Sequence, residues 1–70
     1  MTPDALREAL RVLHWSPGDL AHHLGQSVDR VRNWIRRDVT YHIPPAVSAW
    51  LLRRVALHEQ AMRDDPPPGS

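Results

Sequence analysis

Cysteine, phenylalanine and lysine are all absent from this chain of 70 residues. Without cysteine the chain can form neither a disulfide framework nor a thiolate zinc site, which fits a reducing compartment. No apolar run approaches the roughly 18 residues that a membrane span needs, and the polar segment after Met1 lacks the pattern of a signal peptide. These absences predict a soluble cytoplasmic protein that does not enter a membrane.

The short length also limits what the chain can do. About 60 ordered residues bury only roughly 60% of the surface that their unfolded chain exposes, so such small cores are often stabilised by oligomerisation. The sequence has no nucleophile motif and no glycine-rich phosphate loop, and it is too short to build an oxyanion hole beside a substrate cleft. We therefore expect one domain, a homodimer, no enzymatic activity, no cofactor and no small-molecule ligand.

Positive charge is concentrated in the middle of the sequence, although the net charge is only +1. Residues 27–41 hold four arginines and two aspartates, whereas residues 1–26 have one more acidic than basic residue and residues 42–70 are balanced. All nine basic residues are arginines. Two explanations stay open: genomic base composition, and a preference for the bidentate binding of anions that arginine provides.

Capping residues and apolar periodicity predict an all-α domain of four helices. The helices are expected over residues 3–13, 17–24, 28–36 and 45–62. Gly25 is the natural left-handed stop of the second helix, and Pro45 is the first residue of the fourth. Residues 63–70 are acidic and rich in proline and have nothing to bury, so we expect a disordered tail after a domain at residues 1–62.

The second and third helices are short and are joined by a glycine turn of three residues. Ala21 lies four residues before Gly25, where a small side chain lets the two helices cross closely. Val31 and Trp34 follow the turn at positions that hold the third helix against the core. This spacing predicts a helix-turn-helix, whose second helix projects a polar face that fits the major groove of DNA.

The same stretch resembles the Cro/C1-type helix-turn-helix family of phage and bacterial transcription regulators. The matching residues are Leu20-Ala21-His22-His23-Leu24-Gly25, Ser27 and Val31-Arg32-Asn33-Trp34, preceded by Leu13-His14-Trp15-Ser16. The resemblance covers roughly residues 4–55. It implies a lambda-repressor-like fold that binds an inverted-repeat operator as a dimer and represses transcription, as in autoregulators of phage or bacterial operons, including anti-CRISPR operons.

Three residues depart from the family pattern. The family more often has glutamine where Pro17 stands, an aliphatic residue at Gln26 and glycine at Arg37. The first difference removes a usual phosphate contact, Gln26 offers a polar substitute for it, and Arg37 adds charge where a tight glycine exit is usual. The family's fifth helix has no counterpart here, so a long fourth helix is expected to serve both the core and the dimer.

The resemblance implies that bases are read from the start and the outer face of the third helix. The residues at these positions are Ser27, Val28, Asp29, Arg32, Asn33 and Arg36. Arg32 and Arg36, four residues apart, can bind O6 and N7 of guanine, and Asn33 can pair with adenine. Asp29 can accept from the cytosine amino group, and Val28 can contact a thymine methyl group. The alternative is a solvated helix face on which Asp29 pairs with Arg32.

A second set of polar residues is assigned to the phosphate backbone, where contacts fix the register without reading sequence. The set consists of Gln26, Arg30, Arg37, Thr40 and Tyr41. For Thr40 and Tyr41 the alternative is an ordinary solvent-exposed loop.

The fourth helix carries more apolar surface than one buried stripe requires. Part of this surface is therefore assigned to the homodimer. The dimer residues are expected among Val47, Trp50, Leu51, Arg54, Val55 and His58.

Five histidines and three tryptophans invite other interpretations. No pair of histidines has the four-residue spacing with an intervening glutamate that a helical zinc site uses, so no metal is expected. The tryptophans lie at apolar positions, which favours core or interface packing over stacking on exposed bases. A different function also stays open, namely a protein-interaction module such as an antitoxin or a small phage adaptor that uses the same fold.

Overall fold

The computed structural model describes residues 1–36 and 42–69, and this part of the chain contains four α-helices and no strand. The helices are α1 (Pro3–Leu13), α2 (Pro17–Leu24), α3 (Val28–Ile35) and α4 (Pro45–Asp64). The prediction of a small all-α domain with four helices is confirmed. The bounds of α1 and α2 agree with the predicted ones, α3 ends one residue early, and α4 continues two residues beyond Met62. Arg63 and Asp64, expected in the tail, therefore belong to α4.

The first three helices begin where a hydroxyl side chain replaces a missing backbone partner. Thr2, Ser16 and Ser27 each accept a hydrogen bond of 3.1 to 3.2 Å from the N–H three residues further on. In α2 the Asp19 carboxylate accepts in return from the Ser16 N–H at 2.8 Å, which completes a capping box. Each such cap stabilises a helix by about 1 kcal/mol. Short-range bonds therefore define where these helices start.

The turn between α2 and α3 depends on a glycine. Gly25 ends α2 in the left-handed region, with φ 65° and ψ 30°. The N–H of Gln26 then donates to the Ala21 carbonyl at 3.0 Å, the bond that closes such a helix end. α1 ends in the same region at His14, with φ 58°, although a side chain makes this conformation unfavourable by roughly 1–2 kcal/mol.

The core takes one completely buried side chain from each helix. These residues are Leu6 from α1, Leu20 from α2, Val31 from α3 and Leu51 from α4. The buried side chains of Ala9, Leu10, Ala21, Trp34 and Ile43 surround them. α1 packs on both α3 and α4, and α2 packs on α3. Complete burial of a leucine contributes roughly 1.5–3 kcal/mol.

Leu51 does not lie on a dimer surface, so that expectation is wrong. Its side chain has no solvent exposure and completes the core. Periodicity alone could not separate the buried stripe of α4 from its other apolar positions, because apolar residues occur on several sides of this helix.

α4 is longer than the helix it packs on. Its 20 residues rise about 30 Å, whereas α1 has only 11 residues. We call residues 56–64 the α4 overhang, because among them only His58 is even half-buried. Leu57 and Met62 of the overhang are 59% and 45% exposed. Within the described residues, no helix has both the length and the apolarity that crossing a bilayer demands.

Candidate nucleic-acid interface

α3 is fixed to the core by one side and carries its charge on the other. Val31 has no exposure and Trp34 is 5% exposed, so both anchor the helix inward. Asp29, Arg30 and Arg32 are exposed. A helix of eight residues thus presents a polar face with two arginines and one aspartate to solvent.

Four of the six residues predicted to read bases are accessible in the expected region of α3. Ser27 is exposed at the N-cap, Asp29 and Arg32 are exposed on the helix, and Asn33 is half-buried. The Ser27 oxygen accepts from the Arg30 N–H at 3.2 Å, which leaves its own O–H free to donate.

The other two base-reading residues differ from the prediction. Val28 is half-buried and packs against the core, so little of its side chain is available to a thymine methyl group. Arg36 is exposed but lies outside α3, with an extended backbone at φ −67° and ψ 136°. Its N–H still donates to the Arg32 carbonyl at 3.2 Å, so Arg36 keeps the position one helical turn after Arg32, and the chain leaves the helical path only beyond it.

An ion pair joins two of the residues that were predicted to read bases. Arg32 Nη1 lies 3.8 Å from Asp29 Oδ1, which is the alternative contact considered for this face. The side chains are 64% and 87% exposed, and an ion pair in such a position contributes only about 0–1 kcal/mol. A base edge that offers better geometry can therefore displace it, so the pair does not remove Arg32 from the candidate site.

Two of the predicted phosphate contacts bind each other. Arg30 Nη1 donates a hydrogen bond of 2.9 Å to Gln26 Oε1, one helical turn away. An arginine has five N–H donors, so most of those of Arg30 stay available to an anion. The bond places the guanidinium of Arg30 beside the turn that precedes α3. Arg37, Thr40 and Tyr41, the other predicted phosphate contacts, lie outside the described residues.

A groove of about 400 Å³ runs beside α3. It brings together side chains from the turn, from α3 and from the segment before α4, and it is lined by Ser27, Asp29, Arg30, Asn33, Trp34, His42 and Pro44. Sequence reasoning assigned no role in this site to His42 and Pro44. His42 and Pro44 lie beside α3 in space although they directly precede α4 in sequence, which local periodicity does not indicate.

Arg7 is a further residue that sequence reasoning missed. Its Nη2 donates a hydrogen bond of 2.9 Å to the carbonyl oxygen of Ile35, the last residue of α3. The two residues are 28 positions apart in the chain, so no short sequence motif indicates the contact.

Side chains of α1 and α2 have shifted pKa values with local causes. The hydrogen bonds from the Ser16 backbone and side chain lower the pKa of the Asp19 carboxyl. The hydrogen bond and charge of Arg11 lower the pKa of Glu8, and the pKa of Arg11 is raised in return. A helix cap and an exposed ion pair explain these shifts without a catalytic arrangement.

Aromatic side chains gather where α2 meets α4. The ring centroids of Trp15 and His23 are 4.3 Å apart and stacked, and Trp50 lies 6.0 Å from Trp15. The guanidinium of Arg54 lies 5.1 Å from the centre of the Trp50 ring. Trp15 and Trp50 are half-buried against the core, as expected for packing residues. Across residues 1–36 and 42–69, no three histidine, aspartate or glutamate side chains converge on a point where a metal ion fits.

The predicted dimer residues divide between the core and its edge. Leu51 is buried, Val47, Trp50 and Val55 are half-buried against the core, and His58 is half-buried. Only Arg54 of the set is exposed. The large apolar residues of α4 that do face solvent are Leu52, Leu57 and Met62.

Comparison of the chain with protein-family models, with curated proteins and with solved structures finds no match. Function is therefore inferred from the geometry and the chemistry of the candidate site.

Proposed function

We propose that the protein binds double-stranded DNA in a sequence-specific manner, as a homodimer, and acts in the cytoplasm as a repressor or autoregulator of a phage or bacterial operon. One observation carries the proposal. α3 follows a left-handed glycine turn, buries Val31 and Trp34, and holds Arg32 exposed with its neighbouring polar residues. These are the requirements for a recognition helix of a helix-turn-helix.

The exposed side chains offer the donors and acceptors that base edges need. Arg32 suits the O6 and N7 of guanine, Asn33 suits adenine, and Asp29 suits the amino group of cytosine. The donors lie at the first two turns of α3, which is the part of a recognition helix that contacts bases. Each good bidentate pair contributes about 1–3 kcal/mol of discrimination against the wrong base.

Arg30 and Gln26 support the same proposal from the start of α3. Their mutual hydrogen bond holds the Arg30 guanidinium beside the turn that precedes α3, and we expect it to contact the flanking phosphates from there. The net charge of the chain is only +1, so we expect a local arginine patch rather than a broad positive field. Nonspecific binding should accordingly be weak and should fall steeply with salt.

Dimerisation sets the form of the DNA site. Two copies related by a two-fold axis place their recognition helices in successive major grooves, about 34 Å apart. The operator is therefore expected to be an inverted repeat whose half-sites are spaced by one helical turn.

The experiment that tests this function is selection of bound duplexes from a random pool, followed by gel shift of the recovered sequence at two salt concentrations. A recovered inverted repeat, bound more tightly than a scrambled duplex at both concentrations, supports the proposal. A pool that stays random after repeated rounds contradicts it. Arg11→Ala is a suitable control variant, because Arg11 lies on α1 and its guanidinium contacts Glu8.

A further inference from the structure

One face of the α4 overhang and the turn before it carries a regular exposed stripe. Arg54, Leu57, Ala61 and Asp64 follow each other at steps of three, four and three residues, so they share one side of the helix. All four residues are exposed, and Leu57 is 59% exposed. We call these four residues the α4 stripe.

The body of the protein covers this side of α4 only up to Trp50. Trp50 lies one turn before Arg54 on the same side, and its ring is 6.0 Å from that of Trp15 and 6.4 Å from that of His23. From Arg54 onward nothing in the described part of the chain buries the stripe. Steps of three and four residues are the spacing with which one helix packs against another.

The two ends of the α4 stripe carry opposite charges. Arg54 is basic and Asp64 is acidic, with Leu57 and Ala61 between them. The ion pairs among the described residues join side chains of α1 or of α3, and none of these pairs includes a residue of α4. The Arg54 guanidinium lies 5.1 Å from the centre of the Trp50 ring, a contact that uses none of its N–H donors, so both end charges of the stripe can still pair with a partner.

We propose that a second copy of the chain binds the α4 stripe in antiparallel orientation, with Arg54 opposite Asp64 of the second copy and Leu57 opposite its Ala61. A two-fold axis then makes the contact identical from both sides, as an isologous interface requires. Parallel pairing would instead place arginine opposite arginine and aspartate opposite aspartate. The charge order therefore selects the antiparallel arrangement and a second copy as the occupant.

This interface differs from the one expected from the sequence and deepens the proposed function, on which it rests for the biological role of the dimer. It keeps Arg54 and moves the apolar contact from Leu51 and Val55 to Leu57 and Ala61. Residues 54–64 rise about 16 Å, so the contact is short. We therefore expect a weak dimer whose population rises with protein concentration and whose affinity, through the end charges, falls with salt.

Cross-linking tests the orientation directly, because the natural chain has no cysteine. We would prepare Leu57→Cys and Ala61→Cys as two separate full-length variants and confirm by circular dichroism that each keeps its helix content. Under mild oxidation of an equimolar mixture, the mixed disulfide should form clearly more than twice as fast as either self-disulfide, since random pairing alone gives a ratio of two, as measured by mass spectrometry. Preferred self-cross-linking of each variant would indicate parallel pairing and overturn the proposal, as would a mixture with no cross-link.

A charge exchange tests the end contacts by sedimentation equilibrium. Arg54→Glu and Asp64→Arg alone should each weaken self-association by about tenfold, because each places like charges opposite one another twice in the dimer. The double variant should recover most of the lost association. Arg63→Glu, a charge reversal on the opposite side of α4, is the matched control and should leave association nearly unchanged. A double variant as weak as the single ones, or a natural chain that stays monomeric at all concentrations, overturns the proposal.

The outcome of these measurements does not depend on whether the proposed function is correct. Cross-linking and sedimentation require no DNA, so an antiparallel dimer that recovers no operator would contradict the function and leave the interface intact. Conversely, a selected inverted repeat together with failed cross-linking would contradict the interface and leave DNA binding intact. A complex of the stripe with a different protein, in place of the second copy, would also overturn the proposal.

Discussion

The guanidinium of Arg7 in α1 donates a hydrogen bond of 2.9 Å to the carbonyl oxygen of Ile35 at the end of α3. The last carbonyls of a helix have no partner within it and carry partial negative charge. A cation that binds one of them therefore satisfies an acceptor and opposes the helix dipole at the same time. Through this bond α1 holds the far end of the proposed recognition helix.

Replacing Arg7 by alanine should lower the free energy of unfolding by about 1 kcal/mol, as expected for a hydrogen bond from a charged donor that is partly screened by water. Arg11→Ala is the control, since Arg11 is 72% exposed and pairs with Glu8 on its own helix; its effect should be clearly smaller. Urea unfolding of both variants measures the difference. Equal effects would mean that the contact with Ile35 adds nothing beyond a surface charge.

The glycine turn predicts opposite effects for two glycine-to-alanine substitutions. Gly25 has φ 65° and open space around its Cβ position, so Gly25→Ala should destabilise by roughly 1–2 kcal/mol through backbone strain alone. Gly18 lies in α2, and a Cβ there meets only Ser16 Oγ at an ordinary 3.6 Å. Gly18→Ala should stabilise the protein by up to about 1 kcal/mol. The melting temperatures of both variants, measured by thermal unfolding, test this prediction. A stabilising effect of Gly25→Ala would contradict the left-handed turn.

Arg32 and Arg30 are expected to differ in what they contribute to DNA binding. Arg32→Ala should relax the preference at one base pair by about 1–3 kcal/mol. Arg30→Ala should weaken binding to all duplexes by similar factors and reduce the salt slope by about one. The measurement is a titration of both variants with the selected operator, with single-base changes of it and with a scrambled duplex. If Arg32→Ala kept an unchanged ratio of specific to nonspecific binding, the base-reading role of Arg32 would be wrong.

The capping box makes stability depend on pH in the acidic range. Hydrogen bonds from Ser16 lower the pKa of Asp19 in the folded state, so its carboxylate contributes stability above the unfolded pKa of about 3.9. This contribution is lost as the pH falls through the folded pKa. Asp19→Asn should therefore reduce the melting temperature at about pH 6 and have much less effect at about pH 2. A difference between variant and natural chain that stays constant with pH would contradict this account.

Helix starts and stops could be predicted from the sequence because short-range bonds determine them. Thr2, Ser16 and Gly25 act on residues within one turn, and the helices begin or end next to them as predicted. The end of α3 was harder to predict from the sequence. No glycine or proline directly follows Ile35, and a contact from α1 reaches the last carbonyl of the helix.

The candidate site could be predicted only where it lies on a single helix face. The exposure of Asp29 and Arg32 follows from the burial of Val31 and Trp34, whose spacing is visible in the sequence. The position of His42 beside α3 depends on the path of the chain between helices, and that of Leu51 depends on which side of α4 the other helices occupy. The spacing of residues along one helix indicates neither of these two positions.

α3 is held at both ends, by the Ser27 hydroxyl at the first turn and by the Arg7 guanidinium at the last. A helix of eight residues would not persist in water by itself, so these attachments and the two inward side chains maintain it. The side chains on the outward side of α3 are not needed to keep the helix in place. They form an interchangeable surface, and a library randomised at Asp29, Arg32 and Asn33 should yield folded proteins with altered sequence preferences on an unaltered scaffold.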